Sequence, residues 1–246
     1  MGKFVFHSIV WGALLIAGCT DNRSSQFTAN VIDIGRGRKL YMECDGVGAP
    51  TVLLIAGKGN RADTWNTKLL DPKKPEATVF AQVSQFTRVC SYDRPLTIGV
   101  KGESSRSDPA SEPVTAADGV ADLHALLAAA EVQGPYVVVG HSYGGLIARL
   151  YASTFPKAVT GLVLEDALFE GLYEGITPEQ RAILETINWM PERVDNVRSI
   201  AQVTSAPPIR FIPTYILTVD TNPVGSTDIA DGVFLHIVTN DFTYAP

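Results

Sequence analysis

The segment 136–151 restricts the fold of this chain more than any other stretch. A β-branched run ends in Gly140-His141-Ser142-Tyr143-Gly144, and a helical pattern follows at once. This is the strand–turn–helix context of a G-x-S-x-G motif. The two glycines stand where Cβ atoms would collide in so sharp a turn. The pattern predicts an exposed Ser142 hydroxyl at a helix N-terminus, where developing negative charge is favoured. The alternative is a glycine-rich turn with an incidental serine.

The remaining patterns predict an α/β protein with one mainly parallel sheet flanked by helices. With 246 residues, 46% of them hydrophobic and 19% charged, the chain can bury one sizeable core. Its net charge of −6, without a basic stripe, argues against nucleic acid as a partner. Strand patterns alternate with helical ones, as in a parallel sheet. The predicted strands are 28–34, 38–44, 51–55, 87–92, 136–139, 162–164 and 214–219.

The N-terminus has the pattern of an export signal. Lys3 precedes the apolar stretch 9–17, which has signal-peptide length and is too short to span a membrane. The sequence Leu-Ile-Ala-Gly-Cys ending at Cys19 resembles the lipobox of bacterial lipoproteins, which implies cleavage before Cys19 and lipid attachment to it. We therefore expect a signal peptide over 1–18, a tether over 19–27, and a lipoprotein anchored to a membrane of the bacterial cell envelope. An ordinary secretory signal with a coincidental cysteine is the alternative.

Export would permit a disulfide between the two remaining cysteines. Cys44 and Cys90 both lie in strand patterns. A bridge requires neighbouring strands with Cα atoms within about 7 Å, and a sequence does not show this distance. Two buried thiols are the alternative, and the sequence leaves both possibilities open.

With the Ser142 motif in place, the chain resembles the α/β-hydrolase superfamily over about residues 28–220. Supporting stretches are 56–60 with Trp65, 88–95 and 161–166. The resemblance implies that Ser142 attacks the carbonyl of a small-molecule acyl substrate. It also implies that the backbone N–H groups of Lys58 and Tyr143 bind the oxyanion. No metal and no cofactor are implied.

The catalytic acid and the general base are harder to assign than the serine. The superfamily order places an acid after a strand beyond the serine and a histidine after the acid. Asp220 is the first choice for the acid, and Asp166 is the alternative. Only 26 residues follow Asp220, and His236 is the one histidine among them. It could belong to a short apolar strand or to the lid-like loop that often follows this acid in the superfamily, and we do not expect it to be the base. We expect the chain to lack the last strand and helix of the fold.

Two further stretches have structural and functional interpretations. Residues 167–210 carry helical patterns at 177–188 and 191–203, and they predict a lid-like insertion or ordinary helix packing. Asp93 and Arg94 follow a strand and are expected to form a structural turn.

The leading hypothesis is an exported serine hydrolase of carboxylic esters or related acyl compounds. The alternative is a truncated, catalytically inactive lipoprotein on the same scaffold.

Overall fold

Eight strands form one mixed sheet in the part of the chain that the computed structural model describes. The described residues are 27–68, 77–173, 175–180, 182, 190–219 and 233–238. The strand order is β1-β2-β4-β3-β5-β6-β7-β8. The strands are β1 Thr28–Asp33, β2 Lys39–Asp45, β3 Thr51–Ile55, β4 Val89–Tyr92, β5 Tyr136–His141, β6 Val159–Glu165, β7 Thr214–Val219 and β8 Val233–Val238.

The middle of the sheet is parallel and buried on both faces. β4, β3, β5, β6 and β7 run parallel to one another. Leu53 and Ile55 of β3 belong to the larger apolar core, while Val52 and Leu54 pack on the other face with Phe80. A continuous apolar run is what a strand covered on both faces requires. The predicted mainly parallel sheet flanked by helices is thus confirmed.

Four α-helices whose full length lies in the described ranges cover the sheet. They are α1 Val79–Ser84, α2 Ala116–Ala129, α3 Tyr143–Thr154 and α4 Asn196–Ser205, with 3₁₀ helices at Ala62–Asn66 and Glu170–Tyr173. α2 begins at a capping box, in which Thr115 and Asp118 cap each other's backbone N–H groups. In the insertion, α4 begins later than the predicted helix 191–203. The predicted helix 177–188 lies largely outside the described residues.

The β7–β8 edge holds a strand that was not among the predicted ones. β8 pairs antiparallel with β7, whereas a last strand reached through a helical crossover would pair parallel. The sheet therefore has an eighth strand, in the opposite direction to β7. The expectation that the chain lacks that last strand is thus not contradicted.

The possibility of a disulfide is settled by the register of β2 and β4. These strands are antiparallel neighbours, and Cys44 lies directly opposite Cys90. Their Cα atoms are 4.1 Å apart and a disulfide joins the two side chains. The covalent link therefore connects the outer β1–β2 hairpin to the central parallel strands.

The N-terminal predictions concern residues that the structure does not describe. The signal peptide over 1–18, Cys19 and all but the last residue of the tether over 19–27 lie outside the described residues. Among the helices that are described, none combines the length and the apolar character needed to cross a bilayer. Export and lipid attachment thus remain predictions.

Candidate active site

Ser142 occupies the sharp turn that the sequence predicts between β5 and α3. Its backbone has φ 50° and ψ −121°, and α3 begins at the next residue. A positive φ is uncommon for a residue with a side chain and is maintained only where the surroundings enforce it. The Ser142 residue is only half-buried. We call residues 140–144 the elbow.

The glycines of the elbow make close backbone contacts that exclude any side chain. A Cβ atom on Gly140 would lie 2.5 Å from the Gly144 carbonyl oxygen. A Cβ atom on Gly144 would lie 2.3 Å from the Ile55 carbonyl oxygen and 2.6 Å from that of Ala56. The first turn of α3 therefore rests directly on the end of β3. These contacts give the physical reason for the glycine spacing in the motif.

Contact with the end of β3 brings a second loop beside the serine. We call residues 56–60, which the resemblance assigns to the oxyanion hole, the oxyanion loop. At Gly57, a Cβ atom would lie 2.8 Å from His141 Nδ1 and 3.3 Å from Ser142 Cβ. Lys58 is the next residue, so its backbone N–H belongs to a peptide unit that borders the serine. The structure thus brings together Ser142, Tyr143 and Lys58, as the resemblance implies.

The loop after β6 holds the serine from the other side. The Ser142 N–H donates to the Glu165 carbonyl over 3.1 Å, and the Leu168 N–H donates to the Ser142 carbonyl over 3.0 Å. Gly145 approaches Ala167 so closely that an added Cβ would lie 2.4 Å from the Ala167 Cβ. These contacts support the backbone conformation of Ser142.

Of the two candidate acids, only Asp166 lies within the described residues. It is exposed, directly follows β6, and donates its N–H to the Leu217 carbonyl over 2.7 Å. Asp220 is outside the described residues, although β7 ends one residue before it. Because β7 is parallel to β6 and β5, its carboxyl end lies at the same edge of the sheet as Ser142. Asp166 and Asp220 therefore each directly follow a strand whose carboxyl end lies at the edge of the sheet that holds Ser142.

His236 lies in the middle of β8 and far from the elbow in the strand register. It pairs with Ile216, which pairs with Leu164, which in turn pairs with Gly140. Three strand spacings of about 4.8 Å each put its backbone roughly 14 Å from β5. A general base must come within about 2.6–3.2 Å of its proton. This position agrees with the expectation that His236 is not the base.

A buried arginine holds the oxyanion loop in place, and the sequence interpretation missed this role. Arg94 Nη1 donates to the Ala56 carbonyl, and Nη2 to the Gly57 carbonyl, both over 2.6 Å. The same guanidinium donates to Glu192 from Nε over 2.7 Å and from Nη2 over 2.9 Å. Arg94 is 4% exposed and Glu192 is 1% exposed. Glu192 Oε2 also accepts the Gly59 N–H over 2.5 Å.

Asp93 is also more than a turn residue. Its carboxylate is fully buried and accepts the Ala62 N–H over 2.9 Å. Arg106 Nε donates to the same carboxylate over 2.7 Å. Ala62 starts the 3₁₀ helix that follows the oxyanion loop, so Asp93 fixes the exit of that loop. The sequence offered one signal for these roles, which is an acidic and a basic residue directly after a buried strand. It could not identify their partners, because these are remote in sequence.

Burial and charge shift the pKa values of groups around the elbow. Burial lowers the pKa of the Lys58 ammonium, and the Glu192 carboxylate partly offsets this effect. Burial raises the pKa of the Tyr143 hydroxyl to about 12. Burial alone would lower the pKa of Arg94, but the nearby Glu192 carboxylate raises it above its ordinary value. Arg94 therefore carries its positive charge at neutral pH.

A cavity of about 670 Å³ lies beside α3, away from the serine. It is lined by β6, α3, α4 and the segment 206–211, and Arg149 and Glu170 form an ion pair in its wall. Ser142 is not among its lining residues. The described ranges also hold no group of three or more His, Cys, Asp or Glu residues arranged to bind a metal ion.

Residues 52–236 match the model of the alpha/beta hydrolase family, which is most of the chain. Together with the sheet order and the elbow between β5 and α3, this match identifies the class of protein. The chain belongs to the alpha/beta hydrolase family.

Two curated bacterial proteins are similar to part of the chain. The uncharacterized protein YqjL of Bacillus subtilis (strain 168) is 33% identical over 121 residues, which are 49% of this chain and 41% of YqjL. The provisionally named carbamate hydrolase RutD of Escherichia coli O9:H4 (strain HS) is 32% identical over 115 residues, or 47% of this chain and 36% of RutD. The chain thus spans less than half the length of these relatives.

Solved structures show the same fold. The haloalkane dehalogenase DatA from Agrobacterium tumefaciens C58 gives a TM-score of 0.55 at 15% identity, covering 78% of this chain and 79% of DatA. A provisionally named lipase, lip1, from Acinetobacter baumannii AYE gives a TM-score of 0.50 at 22% identity, covering 66% and 48% of the two chains. Identities this low support the fold and no particular reaction.

Proposed function

We propose that this protein is a serine hydrolase that cleaves carboxylic esters or related acyl compounds through an acyl-enzyme on Ser142. The observation that carries the proposal is the elbow, where a strained serine stands at the start of α3 beside the oxyanion loop. A strained backbone conformation that close packing maintains is typical of functional sites. The family match is compatible with this reaction class and with small-molecule substrates.

The proposed reaction has two halves. Ser142 Oγ attacks the acyl carbonyl carbon and gives up its proton to a general base, and the carbonyl oxygen becomes an oxyanion. The N–H groups of Lys58 and Tyr143 would bind that oxygen, and the Tyr143 N–H lies in the first turn of α3, where no intrahelical acceptor exists. The alcohol leaves with a proton, and water then releases the acid. Asp220 and Asp166 are the candidate acids that would orient the base.

A fluorophosphonate probe and p-nitrophenyl butyrate test the proposal. We expect the probe to label Ser142, as located by peptide mass spectrometry. Replacing Ser142 with Ala should abolish labelling and lower kcat/KM by about 1,000-fold or more. Ser205→Ala is the matched control, since Ser205 is an exposed serine on α4. Turnover that survives in Ser142→Ala would exclude Ser142 as the nucleophile.

A non-catalytic protein on the same scaffold is the competing proposal. It is favoured by the place of His236 in the register, three strands away from the elbow. If the wild-type protein neither reacts with the probe nor turns over the ester, this second proposal is the better one. If His236→Ala is labelled like the wild type, His236 has no part in activating Ser142.

We further propose that the protein is exported and attached to a membrane of the bacterial cell envelope through Cys19. The disulfide between Cys44 and Cys90 supports export, because such bonds persist in oxidising compartments. Replacing Cys19 with Ser should move the protein out of the membrane fraction after cell lysis. A Cys19→Ser protein that stays in that fraction would contradict lipid attachment.

A further inference from the structure

The peptide unit between Gly57 and Lys58 links a buried contact to the site. This peptide is trans, so its carbonyl and its N–H point in opposite directions in one plane. Any group that fixes the Gly57 carbonyl therefore also fixes the direction of the Lys58 N–H. Arg94 Nη2 holds that carbonyl over 2.6 Å.

Arg94 reaches both halves of the expected oxyanion hole. Its guanidinium carbon lies 5.7 Å from the centroid of the Tyr143 ring, within the range of a cation–π contact. Tyr143 is fully buried and carries the other expected donor. One rigid side chain thus contacts the oxyanion loop and the first residue of α3.

Glu192 fixes the guanidinium of Arg94 and extends its hydrogen-bond network into the insertion at 167–210. It accepts two hydrogen bonds from Arg94 and a third from the Gly59 N–H, all within the protein interior. Planar bidentate pairing restricts a guanidinium far more than a single contact does. Residue 192 belongs to the insertion, so the insertion contributes an anchor for the oxyanion loop.

We propose that Arg94, held by Glu192, is a positioning residue that aims the Lys58 N–H at the substrate oxygen. The inference rests on the proposed function, because an oxyanion forms only if Ser142 attacks an acyl group. Arg94 does not touch the substrate in this account. It acts through the Gly57 carbonyl, and its removal should weaken binding of the transition state more than binding of the ester.

The test separates kcat from KM in variants of the pair. Arg94→Met should lower kcat for p-nitrophenyl butyrate by up to about 100-fold, the loss that a misplacement of about 1 Å can cause, with little change in KM. Inhibition by a trifluoromethyl ketone, which forms an oxyanion on Ser142, should weaken in parallel. Arg94→Lys should restore only part of kcat, because one ammonium cannot reproduce the planar contacts.

Two variants separate positioning from folding. Arg94→Met/Glu192→Gln removes both charges, so no unpaired ion stays buried, and Gln can still accept the Gly59 N–H. We expect this protein to fold with a kcat as low as that of Arg94→Met. Arg38→Met is the matched control, since Arg38 forms a bidentate pair with Asp122, far from the oxyanion loop. Its kcat should stay within about twofold of the wild type.

Hydrogen exchange at the Gly59 and Asn60 amides gives a readout that needs no turnover. These N–H groups donate to Glu192 and to the Gly57 carbonyl, and their exchange should speed up about tenfold or more in Arg94→Met but not in Arg38→Met. If kcat and exchange both stay at wild-type values, the positioning role is wrong. If the wild type shows no Ser142-dependent turnover yet exchange responds, the proposed function fails and Arg94 still orients the loop.

Discussion

The β3–β5 side of the sheet and the β7–β8 side consist of similar apolar strands, but different contacts fix them. Between β3 and β5, backbone atoms of the elbow touch the Ile55 carbonyl, and the Arg94–Glu192 pair holds the adjoining loop. Between β7 and β8, the described contact is the antiparallel pairing of the two backbones. Close packing and buried charge thus act where a reacting atom must be placed within fractions of an ångström.

The largest expected effect concerns the disulfide that ties β2 to β4. Replacing Cys44 and Cys90 together with Ala should lower the free energy of unfolding by about 4 kcal/mol, from the entropy of a closed loop with a sequence separation of 46. Urea denaturation of the variant and the wild type measures the difference. An unchanged midpoint would mean that this side of the sheet does not depend on the covalent link.

A methyl group at the elbow is expected to have the next largest effect. Gly144→Ala places a Cβ against two backbone oxygens that cannot rotate away, which should destabilise the fold by about 3 kcal/mol. Gly175→Ala is the control, because a Cβ atom added there would have no neighbour within 4 Å. Equal unfolding midpoints for the two variants would contradict the close contact between α3 and β3.

A smaller effect, in the stabilising direction, is expected at the serine itself. Ser142→Gly removes the Cβ from a residue with φ 50° and should raise the free energy of unfolding by about 1 kcal/mol relative to Ser142→Ala. Both variants lack the hydroxyl, so thermal denaturation compares the relief of strain with the larger backbone entropy that Gly loses on folding. A less stable Ser142→Gly would mean that the turn is not strained.

The smallest effect is expected on β7. Tyr215 is 41% exposed, so Tyr215→Ala should lower the free energy of unfolding by less than about 1 kcal/mol. The matched comparison is Tyr92→Ala on buried β4, for which we expect a loss of at least about 3 kcal/mol. Similar losses at the two tyrosines would show that the two sides of the sheet are equally tightly packed.

Features that depend on local sequence could be predicted, whereas contacts between remote residues could not. The elbow, the bounds of β7 and the cap of α2 were predictable, because local sterics and short-range patterns determine them. The proximity of Lys58 to Ser142 follows from the fold that the motif implies. The Arg94–Glu192 pair joins residues 98 positions apart, and no local pattern encodes such a contact. The direction of β8 was not predictable, because an apolar run pairs equally well in either direction.

The most direct test of the account is a crystal structure of the protein after reaction with diethyl p-nitrophenyl phosphate. The account predicts a covalent bond from Ser142 Oγ to phosphorus, with the phosphoryl oxygen about 2.7–3.1 Å from the backbone nitrogens of Lys58 and Tyr143. Phosphorylation of another residue, or a phosphoryl oxygen directed away from both nitrogens, would contradict it.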